Sequence, residues 1–118
     1  MKLIYMIHKH YATHLHYDLR LEMDGVLKSW AVPKEPSNSL KRLAVAVDDH
    51  DISYANFKGT IGAGYGAGKV EIYDSGYYEL VDRKDKKIIV KLHGKKLKGL
   101  WALVNFKDKN WLFFKMKL

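Results

Sequence analysis

Residues that bind metals and phosphates crowd one stretch of this chain: His10-Tyr-Ala-Thr-His14-Leu-His16-Tyr-Asp18-Leu-Arg20-Leu-Glu22. Neutral imidazole and carboxylate together suit Mn²⁺, Zn²⁺ or Fe²⁺. A set of two histidines and one carboxylate also leaves coordination positions open for water or a phosphate oxygen. Along an extended strand, alternation places His14, His16, Asp18, Arg20 and Glu22 on one face and Leu15, Tyr17, Leu19 and Leu21 on the other. Same-face neighbours are then about 7 Å apart. A face built only for solubility would draw on Lys, Glu and Thr; two histidines, an aspartate and an arginine between positions 14 and 20 suit a metal and phosphate site better. His10 lies ahead of this strand and joins His16 and Asp18 only if the chain folds back.

A second cluster is Arg42-Leu-Ala-Val-Ala-Val-Asp48-Asp49-His50. Alternation groups Leu43, Val45 and Val47 on one face and Arg42, Asp48 and His50 on the other, with Tyr54 within reach through a turn. Taken alone, His50 reads as a loop histidine and Tyr54 as a core aromatic; the first cluster is what makes them site candidates. The run Gly59-Thr-Ile-Gly62-Ala-Gly64-Tyr-Gly66-Ala-Gly68 looks like a phosphate loop but lacks the Lys-Ser/Thr ending and leads into a strand, so it reads as a bend or bulge. Asp82 to Lys87 and Lys95-Lys96-Leu97-Lys98 read as solvated loops, the latter able to touch a phosphate backbone. Trp101 and Trp111 read as core, Trp30 is open to either reading, and His8 and His93 read as bystanders.

The elements that must position these residues are strands. Short runs rich in β-branched and aromatic residues fall at Leu3 to His8, His14 to Met23, Val26 to Val32, Leu43 to Asp48, Lys69 to Tyr73, Tyr77 to Val81, Lys87 to His93, Leu100 to Phe106 and Trp111 to Lys115. No helical period stands out. Asp24-Gly25 is a two-residue hairpin signal, and Asp74-Ser75-Gly76 and Asp108-Lys109-Asn110 read as further hairpin loops. Pro33 to Ser39 is a loop, because two prolines in four residues oppose helix and central strand alike. An all-β domain with so many antiparallel strands avoids exposed edges most simply by closing into a barrel or strongly curved sheet.

At 118 residues the chain is expected to form a single domain, 1–118, around one core. Lys and Arg number 21 against 13 Asp and Glu, a formal charge of +8, which favours a polyanionic partner. With no cysteine, disulfides and thiolate metal sites are excluded. No apolar run is long enough to span a membrane or to form a secretory signal, so a cytoplasmic location is expected.

Three segments in fixed order, IHKHYATHLHYDLRLEMDGVLKSWAVPKEPS, KRLAVAVDDHDISY and the YGAG loop, closely resemble the 3′-phosphoesterase domain of bacterial DNA ligase D and its stand-alone relatives. The resemblance covers most of the chain. It implies a curved antiparallel β-barrel with a polar active-site channel and little helix. It also implies a Mn²⁺-dependent enzyme, with Zn²⁺ or another divalent transition metal as alternatives. Such an enzyme removes 3′-terminal ribonucleosides and then 3′-phosphates from DNA primer-templates, leaving a 3′-OH for repair by separate ligase, polymerase and end-binding partners. Carried over by position, His10, His16 and Asp18 match metal ligands. Arg20, Arg42, His50 and Tyr54 match residues that engage the scissile phosphate, and Lys34 matches a lysine lining the same pocket. His14, where relatives carry Arg, and Asp48, where Glu is common, fall at substrate-facing positions. The glycine loop is one residue shorter than usual, and Asn105 stands where Arg is frequent. Two rival readings share the features: a hydrolase of RNA or cyclic phosphate ends, and a non-catalytic basic β-barrel that binds nucleic-acid ends.

Overall fold

The computed structural model describes residues 2–62 and 67–117. Among them are strands β1 (Leu3–Tyr11), β2 (Leu15–Met23), β3 (Val26–Val32), β4 (Arg42–His50), β5 (Gly59–Ile61), β6 (Gly68–Lys84), β7 (Lys87–Gly94), β8 (Lys98–Lys107) and β9 (Asn110–Lys115). Their order in the sheet is β1-β2-β3-β4-β9-β8-β7-β6-β5, and β6 also pairs with β1. That extra pairing closes eight antiparallel strands into a barrel and leaves β5 as an appendage on β6. The closure removes most of the sheet edge, as expected of an all-β chain.

The β2–β3 turn follows its sequence signal. Asp24 and Gly25 both have positive φ, 58° and 78°, the geometry that matches hairpin twist. Asp74-Ser75-Gly76 corrects the hairpin expected there, because β6 runs through it without a break from Gly68 to Lys84. The physical reason is close approach. Gly76 pairs with Tyr5 on one side and Gly94 on the other, and a Cβ on Gly76 would lie 2.1 Å from the His93 carbonyl oxygen. Asp74 is buried, so the three residues are polar and small for packing reasons and not for turning. The Lys95 to Lys98 segment is likewise less solvated than its charges suggest, since Leu97 is buried.

The barrel interior is an apolar core that includes Tyr5, Ile7, Leu19, Leu21, Trp30, Trp101 and Phe113. Each such side chain contributes roughly 2 kcal/mol through burial. Trp30 therefore belongs to the core, edge-on to Trp111 at 5.9 Å. A second, smaller core of Met6, Leu27 and Ala55, with Ile52 and Tyr54 against it, lies on the opposite face of the β1–β3 sheet. Its cover is a 3₁₀ helix, Ile52–Asn56, which the sequence showed no period to announce. A single turn of this kind has too few residues to display one.

Candidate active site

His10 and His16 stand directly opposite each other across the β1–β2 pairing, and His8 stands opposite Asp18. The fold-back that His10 requires is the three-residue connection Ala12 to His14. Across an antiparallel pair, opposed residues share a face with Cα atoms roughly 5 Å apart, so the strand register delivers the trio. His10 Nδ1 lies 3.6 Å from one Asp18 oxygen and His16 Nε2 lies 3.3 Å from the other. One ligand atom from each of the three residues falls within 4.8 Å of the others. These N and O donors suit a borderline divalent cation with bonds of about 2.0–2.2 Å.

The orientation of His16 is set from behind. Its Nδ1 is 3.1 Å from the His14 carbonyl, which can only accept, so the Nδ1 proton is fixed there and Nε2 is turned to the site. Metal-binding histidines are commonly held in this way. The hydrogen bond with Asp18 pushes the His16 pKa upward against its partial burial. Burial works to raise the Asp18 carboxyl, but the His16 hydrogen bond and the Arg20 charge outweigh it and hold the group below its ordinary value.

Arg20 is buried beneath the trio. Its Nε donates to His8 Nδ1 at 2.9 Å, one terminal nitrogen to Ser29 Oγ at 2.8 Å and the other to Asp18 at 3.3 Å. Its guanidinium also lies 5.0 Å from the Tyr54 ring centre. His8 is thus part of the site, where the sequence read it as a bystander. Burial, followed by the Arg20 charge, pushes its pKa down to about 4, so it is neutral and able to accept from Arg20. Its one sequence signal was its same-face spacing from His10. Ser29 carried none.

His50 arrives by a route that simple alternation misses. Ser29 pairs with Val47 but Leu27 pairs with His50, so β4 carries one extra residue between them. This bulge turns His50 to the face of Val45 and Val47, toward Ser29 and Arg20, and not to the face of Arg42. His50 stacks on Tyr54 at 4.6 Å, and Tyr54 stacks on Phe57 at 4.9 Å. Burial and Arg20 lower the His50 pKa, while burial raises that of Tyr54.

Arg42 does not share the His50 face: it lies opposite the core residue Phe113, and its Nε donates to the Glu35 carbonyl at 2.7 Å. It ties down the loop after β3, and no contact joins it to the trio among the described residues. Lys34, Asp48 and His14 are exposed. Asp49, beside Asp48, pairs with Lys28 at 3.0 Å. Of the glycine run, Gly59 to Ile61 forms β5 and Gly68 begins β6, while positions 63–66 lie outside the described residues. His93 sits apart from the site, 2.6 Å from Glu79.

The sequence profile of the DNA ligase D 3′-phosphoesterase domain matches residues 8–105, which include the trio, Arg20, His50 and Tyr54. The multifunctional non-homologous end joining protein LigD of Mycolicibacterium smegmatis is 48% identical, over 96% of this chain and 17% of its own length. The corresponding protein of Pseudomonas aeruginosa is 44% identical, over 96% of this chain and 15% of its own length. The chain therefore spans about one sixth of these relatives. With the profile matching residues 8–105 and relatives 48% and 44% identical over 96% of the chain, the chain belongs to the DNA ligase D 3′-phosphoesterase domain family.

Proposed function

We propose that this chain is a metal-dependent DNA 3′-end-healing phosphoesterase. It acts as a phosphodiesterase that removes 3′-terminal ribonucleosides and as a phosphomonoesterase that removes 3′-phosphates, leaving a 3′-OH. The observation that carries the reading is the convergence of His10, His16 and Asp18 within 4.8 Å, directly above a buried arginine. The trio would hold Mn²⁺, with Zn²⁺ or another divalent transition metal as alternatives. Such an ion, when bound, supplies Lewis acidity toward a phosphate oxygen and a more acidic water.

The chain's own groups divide the remaining work. Of the five guanidinium N–H donors of Arg20, three are spent on His8, Ser29 and Asp18. The two that remain are available to a phosphate oxygen, and the three spent ones prevent the fork from swinging. His50 is held toward its neutral form in the free protein by burial and Arg20. An incoming phosphate places negative charge beside it and acts in the opposite sense, so substrate binding favours the protonated His50 that donates to the leaving oxygen. Tyr54, stacked on His50, fixes that ring. Arg42, Lys34, His14 and Asp48 enter as substrate contacts on the family resemblance.

The formal charge of +8 supports a DNA end as substrate. The names of the relatives support non-homologous end joining as the setting; a cytoplasmic location and separate ligase, polymerase and end-binding partners enter on the family resemblance. Labelled primer-templates ending in one ribonucleotide or in a 3′-phosphate, incubated with EDTA, Mn²⁺, Mg²⁺ or Zn²⁺, test the proposal. Shortened or dephosphorylated products are expected with Mn²⁺ and none with EDTA. Salt-sensitive binding without product under any metal would favour the binding-barrel reading, and product from all-RNA substrates alone would favour the hydrolase of RNA or cyclic phosphate ends.

A further inference from the structure

The side-chain row that contains the trio continues past β1. His16 faces His10, His10 faces Val70 across the β1–β6 pairing, and Val70 faces Gly59 across the β5–β6 pairing. Opposed residues of antiparallel strands share a face, so the row runs unbroken from the metal-binding candidates to β5. The adjacent row is Asp18, His8 and Ile72. Beyond these rows lies an open groove of about 470 Å³ lined by Lys58, Gly59, Lys69, Val70, Glu71 and Ile72.

Three features keep the groove open. Gly59 ends its row without a side chain, at φ +144°. β5 pairs with β6 only at positions 68–70 and β7 only from Gly76 onward, so among the described residues no strand covers that edge of β6 from Glu71 to Ser75. Ile72 is 39% exposed although it shares the face of buried His8. The lining is chemically mixed: an apolar floor in which Val70 is buried and Ile72 exposed, an exposed Lys58 with no ion pair among the described residues, and, on the alternate face of β6, a Glu71 carboxylate held 3.3 Å from Lys69.

We propose that this groove is the subsite for the terminal ribonucleoside that leaves from the far side of the scissile phosphate. The inference rests on the phosphoesterase reading above. Size chooses between the two sides of that phosphate. A groove within the range of single small ligands, about 300–1,000 Å³, takes one nucleoside and cannot take a primer-template duplex. The base lies on Ile72, beside the buried Val70, an apolar contact that every base tolerates. Lys58, exposed at the groove and without an ion pair among the described residues, donates a hydrogen bond to a ribose hydroxyl oxygen.

The test compares two primers on the same template, one ending in a ribonucleoside and one in a 3′-phosphate, since the second places nothing beyond the phosphate. In Mn²⁺, Ile72→Asp is expected to raise KM for the ribonucleoside-ended primer about tenfold and to leave 3′-phosphate removal unchanged. Equal loss on both primers, or on neither, overturns the assignment. Fluorescence anisotropy of the same primers with EDTA-treated protein reads the groove without turnover. Wild type is expected to prefer the ribonucleoside end and Ile72→Asp to erase that preference, and a wild type indifferent to the end overturns the proposal. Should Ile72→Asp fail to fold, Lys58→Ala is read in the same two assays. Failure of wild type to turn over either primer would sink the phosphoesterase reading instead, with the anisotropy comparison still deciding the groove.

Discussion

Asp18 and Asp74 are paired to neighbouring residues of β1, Asp18 opposite His8 and Asp74 opposite Ile7. One step along β1 reverses the face, so Asp74 points into the barrel and Asp18 points out to the site. Both are nearly inaccessible, at 3% and 6% exposure. Their partners differ in kind. Asp74 accepts from the backbone N–H groups of Lys95, Lys96 and Leu97 and from the Tyr5 hydroxyl at 2.8 Å, every one a donor fixed by the fold. Asp18 has only side chains around it, two imidazoles and a guanidinium, at 3.3 to 3.6 Å. A carboxylate saturated by backbone donors is an anchor. One held only by side chains at looser distances keeps carboxylate lone pairs that a cation can meet.

The same isosteric change at both aspartates should therefore have opposite outcomes. Asp18→Asn is expected to lower end-healing activity about a thousandfold, the scale of several kcal/mol of lost charge stabilisation, and to abolish Mn²⁺ retention measured on the purified protein. Asp74→Asn should keep the metal but destabilise the fold by about 3 kcal/mol, lowering the thermal midpoint by roughly 10 °C. If both variants lost stability equally and kept the metal, the contrast between anchor and ligand would fail. Tyr5→Phe sharpens the anchor side. It removes one of four donors and should cost about 1.5 kcal/mol in denaturant titration, less than Asp74→Asn. Ser29→Ala sharpens the site side. It takes one acceptor from Arg20 and should lower kcat about tenfold with metal content unchanged; a loss of metal would show that Ser29 acts on the ligands and not on Arg20.

Part of this contrast was legible in the residues. Histidines and carboxylate at two-residue spacing mark His16 and Asp18 as neighbours on one face, and the resemblance attaches His10 to them. Asp74 was read as a turn residue because Asp-Ser-Gly has turn composition. Composition cannot distinguish a polar residue that bends the chain from one that accepts bonds from a loop 21 to 23 residues away. His8 failed for a related reason, since an isolated histidine on a strand gives no sign of an arginine twelve positions later that will donate to it.

Local chemistry determined most of the strands, though not β5 or the continuity of β6, together with the Asp24-Gly25 hairpin and the pairing of faces along β2, because alternation and turn geometry act between residues close in sequence. Closure of β6 onto β1, the extra residue in β4 that turns His50 toward Arg20, and the separation of Arg42 from both belong to the tertiary structure. Register between distant strands is set by how a whole core packs, and one residue of slip exchanges every face. The sequence thus named most of the residues of the candidate site, though not His8 or Ser29, and the closed barrel decided which of them meet.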